Sequence, residues 1–154
     1  MAYSEMTTTM SEPQVFTLEA VNAMIPRISA VVGDQLGRRS AIEKKLFALA
    51  ELLGEVPDEI TPIDGDSSKV RELKLDLIDR IAAYQEGWRD VEAFGAIVKD
   101  TRVGLLDFYG RVDGKLVWLC WKYGETECGH YHALDEGFAA RRGIGASVRQ
   151  RLLN

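Results

Sequence analysis

Leu105-Leu106-Asp107-Phe108-Tyr109-Gly110-Arg111-Val112-Asp113-Gly114-Lys115-Leu116-Val117-Trp118-Leu119-Cys120-Trp121 is the stretch that decides the fold. Two runs of strand-forming residues flank Asp113-Gly114, a pair that favours the left-handed backbone of a tight hairpin turn. Leu116 to Trp121 is apolar on both faces, the mark of a strand covered on both sides. Tyr123-Gly124-Glu125-Thr126 then turns the chain, and Cys128 to His132 returns it. The stretch predicts a three-stranded antiparallel sheet.

Upstream the hydrophobic period is helical. Leu18, Val21, Ile25, Ile28, Val32, Leu36, Ile42, Leu46, Leu49 and Leu53 recur at three- and four-residue steps. Thr17 is placed to cap the first free N–H groups, with Glu19 in the first turn and Phe16 before the cap. Pro26 removes a donor and crowds the carbonyl of Asn22, so a kink or break is expected there. Gly54 suits the helix C-terminus. Val70, Leu73, Leu77, Ile81, Tyr84, Trp88, Val91 and Val98 form a second stripe, with Ser67 or Ser68 as its cap. Between the helices lies a solvated, acidic connection. Asp64-Gly65-Asp66 there resembles part of a calcium loop, but Lys69 and Leu75 occupy the positions of its glycine and bidentate glutamate.

The expected class is therefore α+β, a long antiparallel helical hairpin over about 16–100 followed by a small sheet and turn over about 103–142. Residues 1–14, polar and Thr-rich, are expected to be a disordered tail, and 15–154 a single domain, as the length of 154 residues suggests. A lone hairpin covers only part of each stripe, so a partner is needed, the C-terminal sheet, a second copy or both, and a homodimer through the helices is expected.

Composition excludes several functions. A net charge of −5 argues against a nucleic-acid binder. No run approaches the roughly 20 apolar residues of a membrane span, and no apolar core marks a secretory leader. Two cysteines make no disulfide framework, so a cytoplasmic, reduced protein is expected.

Cys120, Cys128, His130 and His132 are all of the chain's cysteine and histidine. Cys128, His130 and His132 alternate along one strand, and a three-residue turn at 124–126 would set Cys120 opposite His130. That tetrad is a zinc alternative without the spacing of a zinc knuckle. Burial among apolar neighbours argues against Cys120 as a nucleophile. The ligand-binding candidates are Asp107, Trp121, Glu125, His132, Asp135 and Arg141, which come from all three strands and the turn after them. Arg141 offers a fork for an anionic group, Trp121 an aromatic wall, and His132 a proton carrier. The competing expectation is structural: Trp121 in the core, and Arg141 paired with Asp135.

Four blocks carry a family likeness. They are Phe16-Thr17-Leu18-Glu19-Ala20-Val21-Asn22 with Pro26; Gly104-Leu105-Leu106-Asp107-Phe108; Leu119-Cys120-Trp121-Lys122-Tyr123-Gly124-Glu125; and Tyr131-His132, Asp135, Gly137-Phe138-Ala139 and Arg141. On these the chain resembles the bacterial family catalogued as domain of unknown function 2203, over roughly Phe16 to Arg142. It departs at Tyr109, where the family pattern has proline, and in Arg142-Gly143-Ile144. The resemblance implies no activity and no cofactor. Two functions stay open: a non-enzymatic scaffold or interaction protein acting through its helices, or a binder of a small anionic ligand or metal, with or without catalysis.

Overall fold

The computed structural model describes residues 13–152. The expectation of a disordered tail falls almost wholly on residues outside that range.

Helix α1 runs Leu18–Leu53 without interruption. Thr17 caps it, its hydroxyl accepting from Ala20 N at 3.1 Å, and Gly54 ends it at φ 80°. Pro26 therefore does not break the helix, contrary to the local rule. Val21, Ile25, Ile28 and Val32 are buried on both sides of it, and that burial holds the turn together despite one missing bond. After an acidic loop, α2 runs Ser68–Ala93, capped by Ser67, which accepts from Val70 N at 3.2 Å. In the loop, Asp66 accepts from Ile63 N at 2.9 Å and from Lys74 Nζ at 3.0 Å. The carboxylate with the strongest calcium-like context is thus committed to the protein itself.

α2 stops sooner than its stripe. Gly95 adopts φ 97°, with Phe16 filling the space a side chain would need. Val98, counted with the helical stripe, lies instead in strand β1, Ile97–Asp100. Strands β2 (Leu105–Val112), β3 (Lys115–Lys122), β4 (His130–Ala133) and β5 (Arg142–Gly143) follow. The sheet is antiparallel with five strands in chain order, not three. β1 and β5 are the additions, one short and one of two residues, and each lies at an edge. A short helix, α3, spans Ala146–Arg151.

One sheet face packs on α1 and the end of α2. Leu106, Phe108, Val117, Leu119 and Trp121 join Val21, Ile25, Ile28, Val32 and Val91 in one core. Phe16 meets Phe108 edge-on, centroids 5.6 Å apart. Farther along the hairpin a second, smaller core holds Ile42, Leu49, Val70 and Leu77. Among the described residues no helix is long and apolar enough to cross a membrane.

Candidate functional site

The ladder decides which side chains share the face turned away from the helices. Asp107 pairs with Cys120, Cys120 with His130, and Trp118 with His132. Because strand residues alternate between faces, Asp107, Tyr109, Trp118, Cys120, His130 and His132 all point outward. Tyr109 and Trp118 stack at 4.2 Å, and Lys99 lies over the Trp118 ring. The chain after β4 folds back across this face. Trp118 Nε1 donates to Leu134 O at 3.3 Å, and Arg141 reaches in to the turn after β3.

Beneath this cover Asp107, Cys120 and His132 form a buried cluster. Their exposures are 2%, 0% and 2%. One ligand-type atom from each lies within 4.8 Å of the other two. His132 Nδ1 is 3.0 Å from Ala133 O. A carbonyl oxygen only accepts, so this nitrogen carries a hydrogen. Nε2 is thereby aimed at Asp107, 3.1 Å from Oδ2. Burial pushes the Asp107 carboxyl above its ordinary range, opposed by His132, Cys120 and Lys99. Burial, reinforced by the negative charge of Asp107, pushes the Cys120 thiol up to about 12. As a free thiol it is inert at neutral pH.

A second cluster closes the rim. Arg141 donates to both oxygens of Glu125, Nη2 to Oε2 at 2.7 Å and Nη1 to Oε1 at 3.1 Å. Burial pushes Glu125 upward, but the hydrogen bonds from Arg141 and Lys122 N and the charges of Arg141 and His130 together outweigh it, leaving the carboxyl below its usual range. Glu125 also accepts from Lys122 N at 2.8 Å, and Trp121 Nε1 donates to Glu125 O at 2.9 Å. Arg141 Nη1 stands 4.0 Å from Cys120 Sγ, joining the two clusters, and its guanidinium covers Phe138.

Of the ligand-binding residues expected from sequence, the fold thus gathers Asp107, His132, Glu125 and Arg141. Trp121 points the other way, fully buried against the helices, and offers no aromatic wall. Asp135 is exposed. The partner of Arg141 is Glu125, not Asp135, and the acid that serves the later turn is Glu136, accepting from Ala133 N at 3.0 Å and pairing with Arg142 at 3.3 Å.

The zinc tetrad does not assemble. Cys120 does face His130, the register a turn centred on Glu125 requires. Cys128, however, precedes β4 and sits in the helix-facing core, its N–H held by Asn22 Oδ1 at 2.7 Å. Asn22 lies one turn before Pro26, on α1. Among the described residues the group with metal-ligand proximity is Asp107, Cys120 and His132. From sequence alone Cys120 belongs to the zinc tetrad and Asp107 to the ligand-binding set. The β2–β3 register, set by the Asp113-Gly114 turn, is the signal that joins them.

A family model described as an uncharacterized conserved protein, domain of unknown function 2203, matches residues 14–144. The chain belongs to this family. The matched region takes in both long helices and the sheet through β5, so the buried cluster and the rim cluster both lie within the family's domain. No curated protein and no solved structure is found to match the chain.

Proposed function

We propose that this protein is a cytoplasmic, non-enzymatic interaction protein that works as a homodimer through the distal part of its helical hairpin. One observation carries the reading: a groove of about 760 Å³ between α1 and α2, far along the hairpin from the sheet. Its apolar wall includes Leu52 and Leu75, 46% and 45% exposed. Its rim carries both signs of charge, Lys45 and Lys69 with Glu51, Glu72 and Asp79.

A two-fold contact places the same patch against itself, so the patch must be its own complement. An apolar centre with cations and acids on one rim meets that requirement, whereas a single-sign rim would repel its copy. A second copy laid antiparallel would also cover the leucines that the lone hairpin leaves in water.

The anionic-ligand reading is weaker, because its groups are already engaged. Arg141 is held by Glu125 and His132 by Asp107, so an incoming anion would have to displace a bidentate carboxylate. Light scattering at micromolar concentration tests the proposal. A dimer is expected for the natural chain, and a monomer of unchanged helical circular dichroism for Leu52→Glu with Leu75→Glu. A natural chain that is monomeric at that concentration would sink the reading.

A further inference from the structure

We propose that Asp107, Cys120 and His132 form a binding site for one divalent transition-metal ion, and that zinc is the ion the donor set suits best. The three donors come from consecutive, hydrogen-bonded strands, β2, β3 and β4, so the backbone fixes their spacing more firmly than a loop would. Around a tetrahedral zinc the donors lie about 2.0–2.3 Å from the ion, and hence about 3.3–3.7 Å from one another. His132 Nε2 and Asp107 Oδ2 are 3.1 Å apart, and the whole trio falls within 4.8 Å. Small side-chain movements close the remaining difference.

Three further features fit a metal. His132 is oriented by the carbonyl of Ala133, leaving the Nε2 lone pair turned to Asp107, and this is the usual outer support of a metal-bound imidazole. A thiolate, a carboxylate and a neutral imidazole around a divalent ion make a neutral set, which suits a buried position. Arg141 approaches Cys120 but is neutralised by Glu125, so its charge does not stand alone against an incoming cation. His130, the cross-strand partner of Cys120, shares this face, but its Nδ1 is turned to Glu125 Oε2 at 3.6 Å, so the fourth position falls to water. The ion would pin three strands together under the returning C-terminal segment, apart from the helical groove.

The test uses the full chain purified without affinity tag or chelator. Plasma mass spectrometry is expected to find close to one zinc per chain. Cobalt(II) added to metal-free protein is expected to give a thiolate-to-cobalt charge-transfer band that saturates at one equivalent and is reversed by zinc. The band should vanish in Cys120→Ser and persist in Cys128→Ala, whose cysteine lies in the helix-facing core. Should Cys120→Ser fail to fold by circular dichroism, Asp107→Asn keeps the hydrogen-bonding shape and should weaken cobalt binding at least tenfold. Absence of both zinc and the cobalt band in the natural chain would overturn the proposal, as would a band that follows Cys128 instead of Cys120.

Discussion

The two ends of the helical hairpin are built differently. Beside the sheet, α1 and α2 are covered by Leu106, Phe108, Leu119 and Trp121, and the polar groups on the sheet's far side bind one another. At the far end the core shrinks to Ile42, Leu49, Val70 and Leu77, while Phe47 is 66% and Val56 81% exposed. Lone exposed apolar residues such as these are ordinary, but Leu52 and Leu75 are half-exposed on one shared groove. The contrast teaches that burial is concentrated at one end of a long element. The sheet end holds the fold, and the tip is where the proposed contact between two copies would form.

Substitutions can break this contrast or sharpen it. The largest effect is expected for Trp121→Ala, which empties a fully buried site and removes the bond to Glu125 O. Urea unfolding should show a loss of about 3–5 kcal/mol. Next comes the junction between the two ends. Gly87 sits against the Gln35 amide, which donates to Tyr84 O across the helix pair. A methyl there must push Gln35 aside, so Gly87→Ala should cost about 1–3 kcal/mol, read in the same titration.

The third effect is a pH dependence confined to the sheet end. In the metal-free protein, burial pushes the thiols of Cys120 and Cys128 from 9.0 to about 12. Between those values the unfolded chain has lost thiol protons that the folded chain keeps, so stability falls as pH rises. Each thiol contributes a slope of about 1.4 kcal/mol per pH unit at most. Below the lower value this contribution is fully present and flat. Denaturation midpoints of the metal-free protein measured from pH 8 to 11 should decline, and Cys128→Ala should decline less steeply. The smallest effect is at the tip, where Phe47→Ala should change the stability of the chain by no more than about 0.5 kcal/mol. A loss there as large as that of Trp121→Ala would erase the distinction between the ends.

What could be read from the sequence follows how local each determinant is. Thr17, Ser67 and Gly54 cap their helices as their types demand, because a cap is decided within four residues. Asp113 and Gly114 turn at φ 52° and 78°, as a two-residue hairpin requires. Pro26 does not end the helix, because its cost of about 3 kcal/mol is local, whereas the burial that overrides it comes from β-strands some 80 residues later. β1 escaped notice because Val98 falls in step with the stripe of α2, and β5 because two residues, Arg142 and Gly143, carry no period at all. At the site, Asp107, His132, Glu125 and Arg141 were legible as residue types that do chemistry. Which face each took was not, since Leu116 to Trp121 is apolar on both sides and gives no parity. That ambiguity is why the sequence leaves Trp121 open as either an aromatic wall or a core residue, and the register decides for the core.

The bond from Cys128 N to Asn22 Oδ1 spans 106 residues of chain. A ribosome adding about 5–20 residues per second needs about 5–20 s to cover that distance. Over that interval α1 exists as nascent chain while the strands meant to seat on Val21, Ile25, Ile28 and Val32 are still being made. Its greasy side must wait, sheltered only by its neighbour helix, and any chaperone that attends this protein would find its target there.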